Sequence, residues 1–519
     1  MHTVFRVQQI KEIQEGEMTI RQVKLTLTSD SDDQQLNALT QRMRQEITST
    51  GWERMGALLW KLGESDKAEK VCTMLLEHAS NESSRAGYYN NLGLLKGNQG
   101  KYNEAVKFYE NSLNIQEKTL PRNHPDFATS YNNIGSLYYN VGEYSKALSS
   151  LERSFEIRKI ALPPNHPDFA TSYNNIGMVY DDMGEYSKAL SSYERSLEIR
   201  KIALPPNHPD LASSYNNIGV VYYNMDEYSK ALSPYERSLE IRKIALPPNH
   251  PDLANSCNNI GMVYNKMGEY SKALSSYERS VEIRKIALPP NHPDLASSYN
   301  NIGMVYNNMG EYSKALSSYE RSLEIRKIAL PPNHPGLAGS YNNIGLVYYN
   351  MGEYSKALSF FERSLEIREI ALPQNHPDLA TSYNNIGSVY NKMGEYSKAL
   401  SSLERSLEIE KIALPPNHPD LASSYNNIGS VYSDMGEYSK ALSSYERSLE
   451  IRKIALPPNH PDLATSYNSI GVVYANMGEY SKALQYYEKA QDIWKKSLPS
   501  NHPDIALVKR NIENVKKKM

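Results

Sequence analysis

A pair of adjacent asparagines recurs through the chain inside the hexapeptide SYNNIG, at 130–135, 172–177, 214–219, 298–303, 340–345, 382–387 and 424–429. Two variants, SCNNIG at 256–261 and SYNSIG at 466–471, complete a series with a constant step of 42 residues. A carboxamide both donates and accepts hydrogen bonds, so one per unit could meet the N–H and C=O groups of an extended peptide whatever its side chains. Asparagine and glycine are each roughly 0.5 to 1 kcal/mol worse than alanine inside a helix. Their return within a helical pattern therefore demands an offsetting interaction in every unit.

The second periodic polar residue is the histidine of the NHP motif: His124, His166, His208, His250, His292, His334, His376, His418, His460 and His502. A metal site needs three or four ligands converging on one point, and residues a whole unit apart cannot converge. These histidines are expected to cap or pack the linker. No Ser-His-Asp arrangement, nucleotide-binding glycine loop or paired-cysteine motif is visible, and GEYSKAL reads as a turn followed by a helix. No catalytic residue, metal or cofactor is implied.

Lys plus Arg number 57 and Asp plus Glu 59, so the basic footprint of a nucleic-acid binder is absent. No stretch approaches the ~18 apolar residues of a membrane span, and no signal-peptide core is found. The two cysteines, Cys72 and Cys257, lie about five repeats apart, too far for a disulfide. A cytoplasmic location is expected.

Residues 163–204 show the elements that must position these groups. Pro167 suits a first helical turn and Asp168 complements the helix N-terminus. A first helix is expected to about Asp182, a turn at Met183, Gly184 and Glu185, and a second helix from about Tyr186 to Ala203. Leu204, Pro205 and Pro206 stop it. Apolar positions fall at helical spacing: Tyr173, Ile176, Gly177 and Tyr180, then Tyr186, Ala189, Tyr193 and Leu197. Such a pair cannot bury its stripe alone, so neighbouring pairs must stack. Gly177 and Ala189 are small where helices would cross closely.

The order aromatic, Ile/Leu-Gly, Tyr, turn Gly, Ala, Tyr, small residue resembles the tetratricopeptide repeat. The 42-residue length and the NHPD-x-A-x-S-Y-N-N stretch are similar to the kinesin light chain class. The chain departs from the general family where Lys201 stands in place of the usual terminating proline, which lengthens the second helix. The resemblance covers about 47–519 and implies an all-α fold, a right-handed superhelical solenoid of helix pairs. Two divergent units occupy 47–120, nine regular units 121–498, and a capping helix 499–519.

In such arrays the first helices line the concave face. The packing face of the specimen unit then leaves Thr171, Asn174, Met178 and Asp181 on the opposite stripe, with Asp182 beside it. Asn175 is expected at the packing boundary as a structural hydrogen-bonder, and Asn174 in the groove. Stacking gives a candidate peptide-binding ladder of Asn132, Asn174, Asn216, Asn258, Asn300, Asn342, Asn384, Asn426 and Asn468. The fourth groove site varies between units as Tyr139, Asp181, Tyr223, Asn265, Asn307, Tyr349, Asn391, Ser433 and Ala475. Tyr223 and Tyr349, with the neighbouring Lys266 and Lys392, join the candidate contacts. Two lysines do not make the cationic clamp that an acidic motif requires. The expected partner is a neutral or mildly basic extended peptide of another protein. Six to nine amide contacts of roughly 1 kcal/mol, less ~2–5 kcal/mol for ordering the segment, imply weak to micromolar affinity.

Residues 1–46 differ. TVFRV and TIRQVKLTLT alternate with period two and read as strands, and DDQQLNALTQRMRQEI reads as an amphipathic helix. Two strands form no stable sheet alone, so the segment reads as a short β-containing remnant of a domain beginning upstream. MHTVFRV is similar to the strand after the catalytic Glu-x-Glu of arginine-specific ADP-ribosyltransferases. An alternative role as the targeting part of such an enzyme follows, with its motif outside this chain. Kinesin light chains also carry a heptad segment that engages the heavy chain; its absence before the array argues against that partner. Asp226 in place of a turn glycine, Pro234 inside a second helix, and Gly336 with Gly339 mark expected bends.

Overall fold

The computed structural model describes residues 65–499 and 502–519 in full, together with Leu59 and the backbone of 5–15 and 18–27. The chain forms two compact units, Met1–Gly268 and Glu269–Met519.

In the first unit, strands Phe5–Glu15 and Met18–Leu27 pair antiparallel, with Ile10 opposite Val23 and Ile13 opposite Ile20. The expected strands coincide with this hairpin at 5–7 and 19–27, and their residues Thr3, Val4 and Thr28 lie outside the described residues. The helix read in 32–47 lies outside the described residues. Helices Ser65–Glu77, Glu82–Asn98 and Tyr102–Thr119 follow. Regular pairs then begin with Pro125–Asn140 and Tyr144–Ala161. The specimen pair spans Pro167–Asp182 and Tyr186–Ala203, the bounds expected from its prolines and turn. The second unit repeats the pattern from Tyr270–Ala287 to Tyr480–Ser497 and closes with Pro503–Lys516. From Ser65 onward the described residues form an all-α solenoid of consecutive helix pairs.

Each first helix of the regular pairs starts on a histidine cap, whereas Glu82–Asn98 starts on Asn81. His166 is extended, and its Nδ1 accepts the N–H of Asp168 at 3.2 Å, with Pro167 at the first helical position. All ten NHP histidines cap in this way. This satisfies one of the orphan N–H groups of the first turn. Gly184 ends the helix at φ 74°, and Glu185 N–H reaches back to the Tyr180 carbonyl at 2.9 Å. That left-handed step is why glycine serves here. Asp226 takes the same conformation at φ 59° and accepts the Tyr228 hydroxyl at 2.6 Å. Helix Tyr228–Ala245 runs unbroken through Pro234, and Pro335–Asn350 keeps the usual start despite Gly336.

The core lies between pairs. Ala189, Tyr193 and Leu197 of one second helix pack with Leu211, Ala212, Ile218 and Val221 of the following first helix, and with Ile241 beyond it. Close crossing explains the glycine of SYNNIG: a Cβ at Gly387 would stand 2.7 Å from Leu403 Cγ and 3.1 Å from the Ala399 carbonyl.

Candidate functional site

The paired asparagines bond across repeats. In the first unit, Asn175 Nδ2 donates to Asn132 Oδ1, Asn217 to Asn174, and Asn259 to Asn216, each at 3.0 Å. In the second unit Asn343 donates to Asn300 and Asn385 to Asn342, both at 2.8 Å, and Asn427 to Asn384 at 2.9 Å. Asn511 of the closing helix continues the pattern to Asn468 at 3.3 Å. A half-buried amide pair contributes about 0.5–1.5 kcal/mol, enough to offset the helix propensity lost at each asparagine. Asn175 makes the structural hydrogen bond expected of it, and Asn174, expected to face the groove, also takes part in a joint by accepting from Asn217. Asn132, Asn174, Asn216, Asn300, Asn342, Asn384 and Asn468 are each half of an inter-repeat joint through their oxygen.

A second row of contacts lies two turns further along the same helices. Asn224 Nδ2 meets Asp181 Oδ1 at 3.0 Å, Asn350 meets Asn307 at 3.1 Å, and Asn391 meets Asp434 at 2.9 Å. Tyr223 and Tyr349 are half-buried edge-on against Tyr228 and Tyr354, with centroids 5.4 and 5.6 Å apart. Burial pushes both phenols above the usual tyrosine range. Burial likewise raises the Asp181 carboxyl, against the lowering hydrogen bond from Asn224. Lys266 and Lys392 are exposed at the ends of their helices. Asn258 is half-buried, with Nδ2 3.6 Å from Met262 Sδ.

A third set was not anticipated. Arg200 Nη1 donates to the Asp210 carbonyl at 3.1 Å and to Ser214 Oγ at 2.7 Å, tying a second helix to the next first helix. Arg158, Arg242, Arg284, Arg326, Arg368 and Arg452 repeat the bridge. Desolvation draws Arg158 below the ordinary arginine range. The readable signal is an arginine recurring at a step of 42 after the dipeptide Glu-Ile, fourteen residues before the serine of SYNNIG, as Arg200 stands before Ser214. Two irregularities break these rows. Glu410 takes the arginine's place and is buried, with Oε2 unpartnered; Ser469 takes an asparagine's place and leaves buried Asn426 Oδ1 without a donor.

Among the described residues, no group of three or more His, Cys, Asp and Glu could hold a metal, and no helix is long and apolar enough to cross a membrane. Cys72 and Cys257 are buried thiols, and burial raises the Cys72 pKa.

The tetratricopeptide repeat model matches residues 84–160, 126–202, 168–244, 210–286, 252–328, 294–370, 378–454, 420–496 and 462–516. These cover most of the chain, which belongs to the tetratricopeptide repeat family. Among solved structures, the apo form of RapI is similar at 18% identity and TM-score 0.52, over 69% of this chain and 96% of that one. BtubC (BKLC) from P. vanneervenii aligns at 24% identity and TM-score 0.39, over 44% of this chain and 92% of its own. A putative kinesin light chain repeat protein from Podosopora anserina aligns at 22% identity and TM-score 0.35, over 40% and 98%. Likenesses at these identities concern the fold alone. No curated protein matches the chain.

Proposed function

We propose that this protein is a non-enzymatic, cytoplasmic interaction scaffold that holds extended peptide segments of partner proteins against the asparagine-bearing face of its first helices, in the manner of kinesin light chain repeats. One observation carries the reading. Asn300, Asn342 and Asn384 are each joined to the next repeat through Oδ1, which leaves their Nδ2 groups to meet a peptide carbonyl. The near-neutral charge and the scarcity of cations beside the ladder favour a partner segment without a concentrated acidic motif.

A peptide-display library selected on the intact protein tests this. Selected peptides are expected to bind with micromolar constants and to lose at least tenfold in affinity to the N300A/N342A/N384A protein, its helical content being checked by circular dichroism. Equal binding to both proteins contradicts the proposal.

A further inference from the structure

One junction of the second unit carries the opposite charge at its polar bridge. At Arg284, Arg326, Arg368 and Arg452, Nη1 lies 2.8 to 3.1 Å from the carbonyl that follows the helix-starting proline and 2.6 to 2.9 Å from a serine Oγ one turn on. Arg368 Nη2 is also 3.9 Å from the Asp378 carboxylate. The frame is made of oxygens, and in these junctions a cation fills it.

Glu410 meets the same frame. Helix Pro419–Asp434 keeps the length and histidine cap of its neighbours, so Asp420 and Ser424 present the equivalent carbonyl, carboxylate and hydroxyl. Glu410 is 7% exposed, and its Oε2 is buried without a partner. The polar groups around it are Asp420, Ser424 and Ser406. Lys411 lies instead over the Tyr425 ring, with Nζ 5.5 Å from the centroid. Among the described residues, no lysine or arginine pairs with Glu410. A buried charge is held by a counter-charge or by a metal. A carboxylate facing a second carboxylate, a carbonyl and hydroxyls has no counter-charge.

The donor set selects the ion. Oxygen ligands suit hard cations, and two carboxylates balance a divalent one. Calcium takes about six to eight oxygens at about 2.3–2.6 Å in adaptable geometry, whereas magnesium demands a near-ideal octahedron at about 2.0–2.1 Å. We infer that Glu410 forms a calcium site with the carboxylate and carbonyl of Asp420 and the hydroxyl of Ser424, the ion standing where a guanidinium stands in the neighbouring junctions. The Asp420 side chain is 66% exposed, so the ion enters from that side and water completes its shell. Two acidic residues suffice because the other ligands are neutral oxygens.

Calcium chloride is titrated into the full chain, freed of metal with a chelator, by calorimetry at neutral pH with sodium chloride present. Thermal unfolding is followed in parallel. Glu410→Gln and Glu410→Arg, each checked for helical content by circular dichroism, are expected to bind calcium at least tenfold more weakly than the natural chain. Asp420→Asn should weaken binding by a similar factor. Asp378→Asn, the same change beside Arg368, should alter it less than threefold. Calcium is expected to raise the unfolding midpoint of the natural chain and to leave that of Glu410→Gln where it was. Three results overturn the site: undiminished calcium binding in Glu410→Gln, no calcium binding in the natural chain, or an equal rise in midpoint with magnesium or sodium chloride at the same ionic strength.

Discussion

Arg368 and Glu410 occupy the same place in successive repeats of the second unit, yet they join their neighbours differently. Arg368 Nη1 reaches the Asp378 carbonyl at 2.9 Å and Ser382 Oγ at 2.7 Å. Glu410 lies among the equivalent Asp420 and Ser424, with Ser406 on its own helix, and keeps a buried oxygen without a partner. The helices they join, Pro377–Lys392 and Pro419–Asp434, have the same length and the same cap. Leu379 with Ala380, and Leu421 with Ala422, are buried alike. Apolar packing thus sets the repeat junction, and the polar bridge adds an increment that one junction lacks. The same first helix, Pro419–Asp434, also carries Asn426, whose oxygen lost its donor to Ser469.

If packing dominates both junctions, Leu379→Ala and Leu421→Ala cost alike, about 2–5 kcal/mol each, read from urea unfolding. A cost confined to the Arg368 junction would break the comparison. Exchanging the polar residues comes next. Arg368→Glu is expected to destabilise by about 2–4 kcal/mol, losing charge-assisted bonds and stranding a buried acid. Glu410→Arg is expected to stabilise by about 1.5–3 kcal/mol. Equal and negligible effects would make the bridge irrelevant.

Acid sharpens the contrast. Burial raises the Glu410 carboxyl, with Asp420 adding to the shift and hydrogen bonds from Ser424 and Ser406 opposing it. A carboxyl raised on folding binds its proton more tightly in the folded state. Its contribution is therefore most favourable below the unfolded value of about 4.3 and declines as pH rises through the raised folded value. Glu410→Gln should match the natural protein near pH 4 and exceed it in unfolding midpoint by pH 7. A pH-independent gap contradicts this. The smallest effect is Ser469→Asn, which restores the missing donor to Asn426 and is expected to add about 0.5–1.5 kcal/mol.

Local features were legible in the sequence. Prolines, turn glycines and histidine caps act within a few residues, so helix bounds such as Pro167–Asp182 followed from composition alone. Gly177 and Ala189 announced a close crossing because only small side chains permit one. Partners one repeat away were harder. Asn174 was placed with an open amide because its acceptor contact with Asn217 lies 43 residues on, a separation that becomes meaningful only once repeats stack in register. Arg200 stands in the last turn of its helix, where a cation is favoured by the helix dipole alone, and only the packed neighbour shows the carbonyl and serine it bridges. The role proposed for Asn300, Asn342 and Asn384 depends on what their oxygens already hold, which periodicity could not reveal.

The most direct test is a mutant cycle on one rung: Asn384→Ala, Asn427→Ala and the double variant, compared with the natural chain by urea unfolding fitted to a nearest-neighbour repeat description. If the carboxamide joint is real, the two substitutions couple by about 0.5–1.5 kcal/mol. Costs that add within about 0.3 kcal/mol would show that the asparagines do not hold the repeats together, and the donor face built on them would go with the joint.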